Sequence, residues 1–203
     1  MRSFPLPFDA AIDAPRVGHV ATTWDSGPPV ATARFGTWVF LASEAFFFGG
    51  LLAAYFVLRA SSKSWVEPLG VGIGVVLTVL LVGSSICASL GVRAIRRDER
   101  DRAATLFLGG AFLASSFVGV QAFEWNELAS HGFTLRTSLA GSCFYVLTGA
   151  HGVHVLVGAA WMMVSAFVLR RDGARTLHAE LAALYQHFVD GVWLVLFAIL
   201  YLL

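Results

Sequence analysis

The sequence predicts an all-α fold, an integral membrane bundle of five transmembrane helices. Three observations predict it. Hydrophobic residues make up 57% of the chain against 13% charged, and mean hydropathy is +0.73, outside the range of soluble domains. Five apolar runs, each long enough to cross a bilayer, use up nearly all of the 203 residues and leave no room for a second, water-soluble domain. Finally, Lys and Arg alternate between the connections in the manner of a polytopic protein.

Residues 1–33 hold Pro5, Pro7, Pro15, Pro28 and Pro29 together with Asp9, Asp13 and Asp25. They lack the apolar core of a signal peptide and read as an irregular cytoplasmic tail. The remainder, 34–203, is the membrane domain. Its first helix, about 35–58, contains a single charge, Glu44. The second, about 68–92, is uncharged and opens on Pro68, a residue favoured in the first helical turn. Gly70 and Gly74 within it have the four-residue spacing of close helix packing in lipid. The third covers about 103–126. The fourth, about 137–169, runs 33 residues without Lys, Arg, Asp or Glu, longer than the ~20 a bilayer needs, so it tilts or projects. The fifth, about 181–203, carries Asp190.

Orientation follows from the cations. With the N-terminus cytoplasmic, eleven Lys and Arg lie inside, among them Arg93, Arg96, Arg97, Arg100, Arg102, Arg170 and Arg171, and only Arg59, Lys63 and Arg136 lie outside. Translocating cationic loops is disfavoured, so the C-terminus is periplasmic. A net charge of +1 without a basic stripe gives no footprint for nucleic acid. Cys87 and Cys143 fall inside apolar runs and read as small core hydrophobes.

Ionisable groups at membrane depth are expensive and so mark sites. Glu44 has Phe40, Phe47 and Phe48 one turn away, surroundings that favour the neutral acid. Two readings fit it: an acid linked to a proton path, or a structural carboxyl hydrogen-bonded inside the bundle. His151 and His154 share a helical face at i, i+3, a spacing that serves metal pairs in bundles when other helices add ligands. Only Glu44 and His187 are obvious candidates to complete such a set. Interhelical hydrogen bonding is the simpler role for these histidines. His187 and Asp190 repeat the i, i+3 spacing and suggest a neutralised pair or a clamp onto a neighbouring subunit. A catalytic dyad there would need a nucleophile and an oxyanion pocket, and the sequence shows neither. Glu124 and Glu180 stand near helix ends and read as interfacial or structural acids accepting loop amides, Glu180 in the first turn of its helix. Trp38, Trp125 and Trp193 read as lipid or partner contacts, and Arg170 and Arg171 as contacts for lipid phosphate.

Taken in order, four strings resemble cytochrome c oxidase subunit III. They are Trp38-Val-Phe-Leu-Ala-Ser-Glu-Ala-Phe-Phe-Phe48, Gln121-Ala-Phe-Glu-Trp125, Gly149-Ala-His-Gly-Val-His-Val-Leu-Val-Gly158, and Glu180 followed by Tyr185-Gln-His-Phe-Val-Asp-Gly-Val-Trp193. The resemblance covers Phe35 to the C-terminus and is closest to the short, five-helix bacterial form. Two positions depart from the family pattern: Gln186 replaces a usual tryptophan, and Trp125 stands where tyrosine is common. Both are expected to touch lipid or a neighbouring chain.

The resemblance implies an accessory, non-redox core subunit of an aa3-type cytochrome c oxidase in aerobic respiration. Such a subunit belongs to a proton-translocating enzyme but has no active site of its own. It packs on subunit I, with subunit II in the same complex. Haem and copper are expected in those partners, and no cofactor in this chain beyond bound phospholipid. Glu44 becomes the family's buried glutamate, and His151, His154, His187 and Asp190 internal polar groups rather than metal ligands. The equivalent chain of a quinol oxidase or nitric oxide reductase is the runner-up. A stand-alone metalloprotein using His151, His154 and His187, or a transporter using Glu44, comes further behind. Arg-rich, Ala/Gly/Val-rich composition points to a bacterial cytoplasmic membrane.

Overall fold

The computed structural model describes residues 30–62, 65, 70–172 and 176–203. All five expected helices are present and each is long and apolar enough to cross a membrane. They are α1 (Val30–Ser61), α2 (Val71–Arg96), α3 (Arg100–Ser130), α4 (Leu139–Asp172) and α5 (Thr176–Phe197), the last continuing into a π-helical turn at Ala198–Leu202. α1 and α3, at 32 and 31 residues, are longer than the apolar runs that announced them, because flanking polar and charged residues continue the helix. At 34 residues, α4 is about 50 Å long, well beyond the ~30 Å hydrocarbon thickness. Most of the N-terminal tail lies outside the described residues, as does the expected helix start at Pro68, and from Val30 the chain is already helical.

Helices α2 to α5 form a ring in which sequence neighbours pack side by side and α5 closes against α2. α1 lies outside the ring, touching α4 and α5 along one seam of Thr37, Leu41, Phe48 and Tyr55. These positions recur every three to four residues or multiples of that, so they fall on a single helical stripe. Glu44 sits on that stripe, one turn from Leu41 and from Phe48. The rest of α1, including Trp38, Phe46 and Val57, faces outward.

Association in lipid gains nothing from apolar burial as such, and small residues that let backbones approach take its place. The core is accordingly rich in alanine, from Ala88 and Ala94 on α2 to Ala179 and Ala182 on α5. A Cβ at Gly91 would lie 2.8 Å from the ring of fully buried Phe107, and one at Gly74 would lie 2.6 Å from Phe197 and 2.9 Å from Tyr201. The close-packing role expected for Gly74 is thus found, whereas a Cβ at Gly70 would meet nothing within 4 Å. Gly91→Val should cost about 1–3 kcal/mol through overpacking. Gly36→Val, where nothing lies within 4 Å, should stay within about 0.5 kcal/mol. Denaturant titration in mixed micelles checks both.

The α2–α3 turn is tight. Asp98 takes a positive φ of 59°, and Glu99 N–H returns to the Ala94 carbonyl at 3.0 Å. Asp98 also pairs with Arg100 and Glu99 with Arg102, so two of the five cations of this connection are neutralised locally.

Candidate functional site

The most informative contact joins α1 to α4. Glu44 Oε2 lies 2.8 Å from His154 Nε2, and both side chains are 18% exposed. His154 Nδ1 lies 2.7 Å from the Ala150 carbonyl oxygen one turn earlier. A carbonyl only accepts, so Nδ1 carries the proton of that bond, and a neutral imidazole then leaves Nε2 as an acceptor. A hydrogen bond between Nε2 and Glu44 therefore needs one further proton. Either the carboxylic acid donates to the imidazole, or an imidazolium donates to the carboxylate. In both arrangements the pair holds one shared proton and has no net charge.

The aromatic surroundings expected of Glu44 close over its partner. Phe47 stacks on His154 with centroids 6.0 Å apart, Phe48 meets the same ring edge-on at 5.0 Å, and Phe40 stacks on Tyr185. Tyr185 OH donates to the His154 carbonyl at 3.3 Å. Glu44 and His154 thus meet in an aromatic sleeve at the α1–α4 contact, each side chain partly exposed.

His151 does not join it. Its ring is fully buried in the α3–α5 core, stacked on Trp193 at 5.3 Å and met edge-on by Phe117 at 5.5 Å, with no hydrogen bond to either nitrogen. The i, i+3 spacing puts the two imidazoles on adjoining faces, one toward the core and one toward α1. Among the described residues no three His, Cys, Asp or Glu side chains converge.

His187 and Asp190 are likewise not joined to each other. His187 lies between Ser85 Oγ, 2.5 Å from Nδ1, and Ser89 Oγ, 3.1 Å from Nε2. Asp190 Oδ1 instead accepts from Gln186 Nε2 at 2.9 Å. The expected direct pair is replaced because α2 supplies a serine at each of two successive turns, and Ser85 stands against both His187 and Asp190.

Several expectations are corrected by burial. Trp193, assigned to lipid or partner contact, is fully buried and donates Nε1–H to Thr78 Oγ1 at 3.0 Å. Gln186, also expected at the surface, is fully buried, since its helix turns that face to Gly158. Trp125 is half-buried, donating to Thr148, while the Tyr145 hydroxyl donates to the Trp125 carbonyl. Among the described residues Glu124 accepts no loop amide. It is buried and takes Gln121 Nε2–H at 2.9 Å and the Tyr201 hydroxyl at 2.8 Å. The π-helical turn at Ala198–Leu202 carries Tyr201 to that acid, a local irregularity of the kind often found at functional positions. Glu180 lies past the first turn of α5 and pairs with Arg34 at 2.7 Å. Trp38, Arg170 and Arg171 are exposed, as their assigned contacts require.

Sequence reading missed Tyr201, Thr78, Ser85 and Ser89. The serines were findable, since i, i+4 spacing in an apolar helix makes a polar stripe. Nothing in the chain announces that Tyr201 meets an acid 77 positions earlier.

Comparison with known proteins follows this geometry. The family model for cytochrome c oxidase subunit III matches residues 25–203. The chain is 38% identical to the cytochrome c oxidase subunit 3 of Corynebacterium diphtheriae, over 82% of this chain and 85% of that one. It is 35% identical to that of Thermostichus vulcanus, over 83% and 86%, and 37% identical to a probable cytochrome c oxidase subunit 3 of Mycobacterium bovis, over 82% and 85%.

Proposed function

The chain belongs to the cytochrome c oxidase subunit III family, and from that premise we propose that it is an accessory, non-redox subunit of an aa3-type enzyme. It packs on the catalytic subunit I, with subunit II in the same complex, in a bacterial cytoplasmic membrane. Its N-terminus faces the cytoplasm, the side that receives eleven of the fourteen cations. Haem and copper belong to the partner subunits, while this chain supplies packing surface, bound phospholipid and support for proton uptake.

The Glu44–His154 pair carries the reading. A single shared proton in a sleeve of Phe40, Phe47 and Phe48 keeps the pair neutral in lipid, and that proton can pass between the acid and the imidazole without changing the net charge. A neutral pair holding a proton suits a site beside a proton-consuming enzyme, and the same contact fastens α1 to the ring.

Two measurements test the proposal. A tag on this chain should recover a complex whose haems are of the a type, whereas nitric oxide reductase haems or a quinol-specific complex would overturn the assignment. A hydrophobic carbodiimide, which reacts with protonated carboxyl groups, should label Glu44, and Glu44→Gln should abolish the label. Labelling that survives in the variant would place the reactive acid elsewhere.

A further inference from the structure

Ser85 and Ser89 on α2 and His187 and Asp190 on α5 form one hydrogen-bonded row. Ser89 Oγ lies 3.1 Å from His187 Nε2, and Ser85 Oγ lies 2.5 Å from Nδ1. The Ser85 hydroxyl also hydrogen-bonds Asp190, whose Oδ1 accepts from Gln186 Nε2 at 2.9 Å. Asp190 is the buried end of the row, 7% exposed and ten residues, or about 15 Å, along α5 from Glu180.

The other end is open. A cavity of about 530 Å³ between α1, α2 and α5 reaches His187 and Ser89. Its mouth carries Arg34 from α1, Arg93 and Arg96 from α2, and Glu180 from α5. Arg34 pairs with Glu180. Among the described residues, these four are the charged groups that line the cavities around His187 and Asp190. They lie at the end of the bundle that the cation count assigns to the cytoplasm.

Donor order in the row follows from Asp190. A carboxylate only accepts, so when Asp190 is ionised Ser85 gives it a proton and takes His187 Nδ1–H on its own oxygen. Nε2 of the neutral imidazole is then an acceptor, filled by the Ser89 hydroxyl. Every donor points from the cavity toward the acid. When Asp190 is protonated the order reverses and no bond is lost: the acid donates to Ser85, Ser85 to Nδ1, and Nε2–H to Ser89. The two states differ by one proton. Water in the cavity gives it to Ser89 Oγ, which releases its own proton to Nε2. Nδ1 passes its proton to Ser85 Oγ, and Ser85 passes its own to the carboxylate. Emptying runs through the same four steps backwards.

We infer that the Ser89–His187–Ser85–Asp190 row is a reversible proton wire that fills and empties a buried carboxyl from the cytoplasmic cavity. It is separate from the Glu44–His154 pair, which joins α1 to α4. An imidazole bonded on both nitrogens can take a proton on one side and release it on the other, and that is the role of His187 here. The inference rests on the proposed orientation and support for proton uptake, and adds a second acid that exchanges protons with the same side of the membrane.

The test uses the complex purified through a tag on this chain, in detergent and without electron flow. Time-resolved infrared absorption follows the C=O stretch of protonated carboxyl groups through a rapid pH step. Wild type should show a band that rises on acidification and falls on return, absent in Asp190→Asn and retained in Glu44→Gln. Ser85→Ala and His187→Phe keep the acid but break the row, and each should slow the rise by about a hundredfold, the lower range for a positioned proton carrier. These two variants also serve where Asp190→Asn fails to assemble. A wild-type spectrum with no such band, or a rise equally fast in Ser85→Ala and His187→Phe, would overturn the wire. Because the band is read without turnover, either result leaves the oxidase assignment standing, whereas a complex lacking a-type haem would remove that assignment and leave the band to be judged alone.

Discussion

Trp193→Ala should destabilise the bundle by about 3–5 kcal/mol, the range for deleting a buried large aromatic side chain. The indole is fully buried, stacks on His151 at an interplanar angle of 28°, and meets Phe117 edge-on at 4.8 Å. Its Nε1–H also ties α5 to Thr78 on α2. Truncation leaves a cavity where four helices meet, and a rigid wall of rings cannot collapse to fill it. Trp193→Phe keeps a ring and removes the hydrogen bond, leaving Thr78 Oγ1 without that donor, so a smaller loss of about 1–3 kcal/mol is expected. Denaturant titration of the purified chain in mixed micelles, followed by helical ellipticity, measures both. A lipid-facing tryptophan, as the sequence suggests for this position, would give near-silent substitutions. The experiment therefore separates a core keystone from a surface anchor.

That contrast shows what the sequence could and could not convey. Five helices and their order were legible because a stretch that must cross hydrocarbon has to be long and uncharged. Glu44 was legible because one carboxyl in such a stretch stands out, and its Phe47 and Phe48 neighbours are fixed by helical geometry alone. Which face of each helix looks inward was not legible. In water an apolar stripe marks the buried side, but in a bilayer the lipid-facing side is apolar too and periodicity loses its contrast. Trp193 and Gln186 were misplaced for that reason, and so was the role of Glu124. The pairing of Glu44 with His154 needs α1 laid against α4 across 110 positions of chain, and the sequence offers Glu44 only as one candidate to join His151 and His154 in a metal set, not as the partner of His154 alone. The i, i+3 histidine pair misled in a more instructive way. Residues sharing a face within about 60° can still belong to different neighbours when the helix sits at the corner of a ring.

The shared proton makes the second large prediction. If Glu44 and His154 hold one proton between them, removing either partner strands the other, at a cost of about 1–3 kcal/mol to the docking of α1 on the ring. Glu44→Ala and His154→Phe should each show that loss, while the double variant should lose much less than the sum. The resulting coupling is expected at about 1–3 kcal/mol, the range for residues in one hydrogen-bonded network. Independent, additive losses would mean that the 2.8 Å contact carries no proton-dependent bond. Function should follow the same logic in the assembled oxidase. The pair contains no redox group, so Glu44→Ala should leave the initial rate of oxygen consumption largely intact. It should instead shorten the enzyme's working life under turnover and slow proton uptake, because the proposed support for proton uptake is gone. His154→Phe should reproduce the shortened lifetime even though Glu44 remains, since a carboxyl facing a phenyl ring has nothing to exchange its proton with. An immediate, complete loss of oxygen consumption in correctly assembled Glu44→Ala enzyme would instead put this residue in the reaction path itself.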